Sequence, residues 1–386
     1  MTDLSNISIS NETDLSPKSK SERNLGIDLL RCVAMIMVVM LHLFNRAGAG
    51  SAIAGNETVK ELAVPLRIFL AGCVNIYAII SGYVMLKSKF RLSKIIELWL
   101  QVFITGVTLS IVSSLIIPGS IPTSIWVRSF MPVTQKEFWY FSAYVGVFML
   151  SPIVNKGILS LTRNQSLALL FGCFSLFSVG TIAGRTYIGD PFSMGSGYSV
   201  IWLLVLYIMG ACMKQSGFLS KTKKSWLFLA LFVSYNLCWL INWVLNLEGI
   251  PESIADLDGL LSNYVSPFLT VNAVLLLSLF SKIDIKNKIA QALIRFFAPL
   301  TFGVYIIHIH HAFWRPLNGS FKFVRDIPDT AQLPFIIISA VVLFILFALI
   351  DFVRKIIFKL CRIDKFSVFL DKKLHIAWRK LCGDNK

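Results

Sequence analysis

Ten apolar runs, each long enough to cross a bilayer, alternate with short polar segments along this chain. They fall at 26–45, 66–86, 95–117, 138–157, 166–184, 198–213, 226–246, 262–281, 296–313 and 334–353. None alternates with the two-residue period of a barrel strand, and lipid offers backbone groups no hydrogen-bond partner, so all ten predict helices. The expected fold class is all-α: a polytopic membrane helix bundle of about ten transmembrane helices. Between the runs there is no long Gly/Ser or Pro linker, no internal repeat and no appended soluble domain. The external segments 46–65, 118–137, 247–261 and 314–333 have room only for a small helix or a lid. Any chemistry must therefore use the bundle itself.

The first run, Gly26 to Asn45, departs from a plain anchor because it carries Arg31 near one end and His42 near the other. A charged group inside a span costs roughly 2.5–3.5 kcal/mol on insertion scales, so such residues face a bundle interior or a water-filled path and mark function. The two are 11 residues apart, which returns them to one helix face with roughly 20° of drift and about 16 Å of axial separation. Asp28 and Asn45 fall on the same stripe. One side of this helix thus lines a path with acid, base, imidazole and amide.

Composition supports the membrane class: 55% of the 386 residues are hydrophobic and only 15% charged. The basic residues then set orientation. With the first terminus cytoplasmic and the runs alternating, 27 of the 37 lysines and arginines fall on the cytoplasmic side, 9 fall outside, and Arg31 lies within a span. The positive-inside rule therefore predicts both termini in the cytoplasm, and the expected location is the plasma membrane. The same bias explains the net charge of +16 without nucleic acid, since no basic stripe accompanies a nucleic-acid motif. The partner it implies is the lipid bilayer, against whose anionic head groups the basic tail would lie. Residues 1–23 lack an apolar core and read as a disordered cytoplasmic leader, 24–358 as the membrane domain and 359–386 as a basic cytoplasmic tail. The seven cysteines show no metal-ligand spacing and mostly sit in apolar runs, which predicts neither zinc nor disulfides.

Orientation assigns depth. Arg31 lies near the cytoplasmic edge, His42 in the outer leaflet. The second run ends with Ser81, Gly82 and Tyr83 at the depth of Arg31, just above the basic cluster Lys87, Lys89, Arg91 and Lys94. Small residues there either permit close helix approach or leave room for a ligand. The cluster itself is open to two readings, topology alone or an anion site. In the ninth run, His308 lies in the outer leaflet with His310 and His311 beyond it, so four of the five histidines gather at one level. A neutral imidazole is the natural base for deprotonating a hydroxyl near neutral pH. Metal binding by His308, His310 and His311 is disfavoured, because neighbours on a helix point apart and only Glu137 lies near that level. A Ser-His-Asp triad is unsupported, there being no GxSxG turn.

These residues resemble the integral-membrane acyltransferase 3 family of bacterial cell-surface O-acyltransferases. The first helix is similar to that family's arginine, ten residues, histidine motif, here Arg31 to His42 preceded by IDLLR; Ser81 to Tyr83 resembles its SGY motif and basic turn. Segments 138–155, 198–213 and 302–308 also resemble family segments. One departure is that Glu137 and Phe138 precede Trp139 where some members have a histidine. The resemblance implies an acyltransferase that moves an acyl group, usually acetyl from acetyl-CoA as co-substrate with no permanently bound cofactor, to a hydroxyl of an extracytoplasmic glycan or polysaccharide. By that resemblance His42 would activate the acceptor hydroxyl or carry the acyl group itself, and Arg31 would hold the donor with Lys89 and Arg91. Ser81 and Tyr83 would shape the donor channel, and His308 would orient His42 or the acceptor. The rival class is a transporter that conducts substrate or protons along the same stripe.

Overall fold

In the computed structural model, which describes residues 23–135, 138–247 and 263–381, all regular structure among the described residues is helical. Residues 1–22 of the expected leader, Glu137 and most of the 247–261 segment lie outside them. Eight helical stretches are long and apolar enough to span a membrane, and two shorter apolar helices bring the number among the described residues to the ten expected.

Spans one and two are α1 (Leu25–Asn45) and the pair α3 (Glu57–Ala71) and α4 (Cys73–Met85), broken at Gly72, with the short α2 (Ala49–Ile53) between them. The third is α5 (Leu92–Ile116), followed by the small α6 (Thr123–Phe130); the fourth is α7 (Trp139–Leu159). In the fifth, α8 (Arg163–Cys173) runs through a π-helical turn into α9 (Gly180–Ile188). Then come α10 (Val200–Ser216), α11 (Lys224–Leu245) and α12 (Pro267–Phe280). The ninth span joins α13 (Lys288–Phe297) to α14 (Thr301–Ile309), and the short α15 (His311–Leu317) leads to the tenth, α16 (Asp329–Leu360). A final helix, α17 (Ile363–Leu381), packs along α5.

Local chemistry starts these helices where the hydropathy requires. Asn24, Asn56 and Asn287 each accept a hydrogen bond from a backbone N–H in the first turn of α1, α3 and α13, and Thr162 with Gln165 forms a capping box on α8. The ends sort into two layers. Asn24 Nδ2 donates to the Ser281 carbonyl at the end of α12 (2.8 Å), and Asn155 Nδ2 donates to the Met85 carbonyl at the end of α4 (3.1 Å). At the other end, Gly319 and Phe321 N–H donate to the carbonyls of Arg46 and Ala47 after α1 (3.2 and 2.8 Å). Arg31 therefore lies toward one end of the bundle, which is the end rich in Lys and Arg, and His42 toward the other. Large apolar residues such as Trp226, Phe228 and Phe232 on α11 face outward, as contact with lipid requires.

One close crossing is between α4 and α10, and it is reciprocal. A Cβ on Gly82 would collide with the Tyr207 carbonyl, and one on Gly210 with the Ile79 carbonyl. Of the two uses the sequence left open for Gly82, close helix approach is the one realised. The last span is also longer than its hydropathy indicated. At 32 residues, α16 is about 48 Å long, against a hydrocarbon core of about 30 Å, so its final turns project beyond the basic end with Arg354, Lys355 and Lys359. Gly82→Ala and Gly210→Ala should each lower the thermal midpoint of the purified protein, with about 1–3 kcal/mol of overpacking strain. Gly157→Ala, whose Cβ meets nothing within 4 Å, should not; equal melting of all three variants would refute the tight crossing.

Candidate active site

The spacing on α1 places its polar groups as the sequence suggested, and the fold supplies their partners. Asp28 is buried and accepts from Arg31 Nη1 at 2.7 Å and from Arg23. The Tyr77 hydroxyl donates to the Arg31 carbonyl at 2.6 Å, tying α4 to α1 at that depth. Three turns along the same face, His42 Nδ1 lies 2.8 Å from His308 Nε2 on α14, and His308 Nδ1 lies 2.7 Å from the Val304 carbonyl. A carbonyl can only accept, so His308 carries its proton on Nδ1 and presents the Nε2 lone pair. His42 must then donate through Nδ1. The lone pair of His42 is thereby fixed on Nε2, and the imidazole is oriented as a base.

Two chambers that share lining residues lie along this stripe. The outer limit of the first is the basic end of the bundle. It is a vestibule of about 1270 Å³ with Lys87, Lys89, Lys94, Arg354, Lys355 and Lys359 among its lining residues. The second, of about 300 Å³, runs through the bundle to His42 past the rings of Tyr77, Trp139, Tyr140, Tyr144, Tyr264 and Tyr305. Arg31, Leu98, Tyr144 and Pro299 line both, so Arg31 stands at the throat between a cationic mouth and an aromatic, uncharged interior.

Of the residues singled out from the sequence, Arg31, His42 and Ser81 line the inner chamber, His308 supports it from behind, and Lys89 lines the vestibule. Ser81 is held by its own helix, Oγ donating to the Tyr77 carbonyl at 2.8 Å. Arg91 and Tyr83 line neither chamber. Arg91 is the exposed residue before α5, and the Tyr83 ring faces Lys214 at 4.7 Å in a separate polar pocket. The expectation that Tyr83 shapes the donor channel thus finds no geometric support, because the close α4–α10 crossing turns it toward α10. The histidines also divide. His310 Nδ1 accepts from Ala312 N–H to cap α15, and its Nε2 lies 3.3 Å from Ser110 Oγ, whereas His311 begins α15 among the side chains of Arg46, Arg128 and Arg315.

Sequence reasoning gave Arg354 no role beyond one of the cytoplasmic basic residues. Asp351 is fully buried, and Arg354 donates to it through Nε at 2.5 Å and Nη2 at 3.0 Å while Gln101 approaches at 3.3 Å. A side chain on Gly303 would occupy the position of this carboxylate, so α14 must pass over it bare. The pair repeats the arrangement on α1: IDLLR at 27–31 and IDFVR at 350–354 each bury an aspartate and aim the arginine three residues later at the vestibule. That repeated pattern was the available signal.

Residues 24–350 match the acyltransferase 3 family, described as an acyltransferase domain. No curated protein and no solved structure matches the chain. The geometry yields a stability test of its own. Removing one partner of a buried pair costs about 3–5 kcal/mol, less where the survivor can reach water, while apolar replacement of both is often neutral. Asp351→Leu should therefore melt well below wild type, and Asp351→Leu with Arg354→Leu should recover most of the loss. If the double variant melts as low as the single one, the pair is not the origin of the effect.

Proposed function

Since this chain belongs to the acyltransferase 3 family and is a membrane acyltransferase, we propose the specific reaction it performs: transfer of an acyl group, most simply acetyl, from acyl-CoA at the basic end to a hydroxyl of a glycan at the opposite face. The observation that carries this reading is the meeting of the two chambers at Arg31, with His42 at the far end of the inner one. Coenzyme A has all its phosphates at one end and its thioester at the end of a long neutral arm. The vestibule offers lysine and arginine side chains to the phosphates, and the inner chamber is narrow, aromatic and uncharged beyond Arg31. Arg31 and His42 are about 16 Å apart along α1, a span that an extended pantetheine arm covers. The excess of Lys and Arg at the vestibule end makes that end cytoplasmic, where acyl-CoA is made, and the plasma membrane the natural location.

At the opposite end, Trp139 and Tyr264 present nearly parallel rings with centroids 6.2 Å apart, and Tyr198, 57% exposed, packs on Trp139 at 4.6 Å. Aromatic faces of this kind suit the C–H face of a sugar ring. His42 Nε2 takes the proton of the acceptor hydroxyl as its oxygen attacks the thioester carbonyl carbon. A C–O bond forms, the C–S bond breaks, and the proton passes from His42 to the departing thiolate. His308 Nε2 accepts from His42 Nδ1 throughout, so it steadies the imidazolium while the charge is present.

Purified protein in lipid nanodiscs, given labelled acetyl-CoA, should release CoA with or without an added acceptor glycan. His42→Gln keeps a polar side chain but no titratable base, and should lower the rate about 100- to 10,000-fold. Arg31→Ala should chiefly raise the KM for acetyl-CoA. A transporter would cleave no thioester, and a folded His42→Gln variant with near-normal turnover would remove His42 from the chemistry.

A further inference from the structure

The end of the bundle opposite the vestibule also concentrates positive charge, and it does so beside His42. Arg46 follows α1, its N–H donating to the His42 carbonyl at 2.8 Å, one turn beyond the imidazole. Its guanidinium lies over the Trp314 ring at 5.3 Å, and Trp314 stands edge-on to His42 with centroids 4.7 Å apart. A single aromatic ring thus separates Arg46 from the base. Helix α15 adds His311 and Arg315, and α6 adds Arg128. All three guanidinium groups, with burial as the larger cause, push the His311 imidazole below its ordinary pKa.

Three features distinguish this cluster from scattered surface charge. First, among the described residues Arg46 Nε and His311 Nε2 are buried polar atoms without a hydrogen-bond partner, and such atoms are rare unless a ligand or water completes them. Second, among the described residues no carboxylate lies within ion-pair distance of Arg46 or Arg315; Arg315 reaches only the Ser120 carbonyl, at 3.4 Å. Third, the charge bias that governs membrane topology disfavours arginine on this face. Only 9 of the 37 basic residues fall there, yet Arg46, Arg128 and Arg315 share one spot. Topology explains the vestibule cations in part. It does not explain these.

We propose that Arg46 and Arg315 bind an anionic group, a carboxylate or a phosphate, on the acceptor, and that the acceptor is therefore an acidic glycan. This deepens the acyl-transfer reading and rests on it. The charge would hold the sugar beyond Trp314 with a neighbouring hydroxyl directed at His42 Nε2. Arg46 serves as the inner contact, because its Nε is buried in the protein, and Arg315 as the exposed contact that draws the anion in.

The test uses the full chain in nanodiscs of phosphatidylcholine, labelled acetyl-CoA, and surface glycan extracted from the cell that carries the chain, separated by anion exchange into acidic and neutral fractions. Label should enter the acidic fraction. Carboxyl reduction in one arm and phosphate removal in another should identify the anion, one of them lowering incorporation at least about tenfold. Arg46→Gln should lower kcat/KM for the acidic fraction about 10- to 100-fold, the scale of one charged hydrogen bond. Arg315→Gln, at an exposed position, should give a smaller loss in the same direction and guards against misfolding of the first variant. Label confined to neutral glycan, incorporation indifferent to both chemical treatments, or wild-type kcat/KM in both variants overturns the proposal while leaving acyl transfer standing. Failure of the wild-type protein to cleave acetyl-CoA removes the acyl-CoA reading on which it rests.

Discussion

The hydrogen bond between His42 and His308 is the contact on which the rest of the site depends. It joins two helices distant in sequence, and it fixes the tautomer of both rings because the Val304 carbonyl leaves His308 one way to point its proton. A slip of α14 by a single residue would move His308 by about 1.5 Å and 100°, which breaks the relay. Register is therefore set elsewhere, by Gly303 passing directly over the Asp351 carboxylate and by the Tyr77 hydroxyl gripping the Arg31 carbonyl. Packing around α1, α4, α14 and α16 is thus a condition of the chemistry as well as of stability.

The two buried aspartates serve the same end at the other side of the bundle. Asp28 and Asp351 each sit at 1% exposure or less, paired with an arginine three residues on. Pairs of this kind contribute little net stability relative to apolar packing, since desolvation offsets most of the attraction. Their effect is positional: each holds a guanidinium at the vestibule wall in a fixed orientation. With Arg31 and Arg354 anchored, the lysines of α16 and of the turn after α4 can remain mobile and still present a continuous cationic surface.

Much of this was legible in the sequence because it is local. Ten hydropathy runs became eight helical stretches long enough to span and two shorter apolar helices, and the Arg31 to His42 spacing produced one lined face, since helical periodicity and hydropathy decide both. What was not legible depends on helices converging. Tyr83 read as a channel residue through its neighbours Ser81 and Gly82, yet the glycine crossing with α10 turns its ring to Lys214. Arg354 read only as one more cytoplasmic charge because it lies just past the apolar run that ends at 353, and α16 outlasts that run. The aromatic chamber collects Tyr77, Tyr140, Tyr264 and Tyr305 from four separate parts of the chain, and no single window holds that information. Among the histidines, a shared level was readable but partnership was not: His308 and His310 lie two residues apart, one bonded to His42 and the other capping α15.

The central claim is that the acyl group crosses the bilayer inside the protein, entering at the vestibule and leaving from His42. Sidedness tests it most directly. Sealed membrane vesicles of both orientations, carrying the chain and the acceptor glycan on the His42 side, would receive labelled acetyl-CoA in the external medium only. Glycan should be acylated inside inverted vesicles, whose vestibules face the medium, with free CoA appearing outside, and not in right-side-out ones. Equal acylation from both faces, or acylation only in right-side-out vesicles, would contradict the path through Arg31.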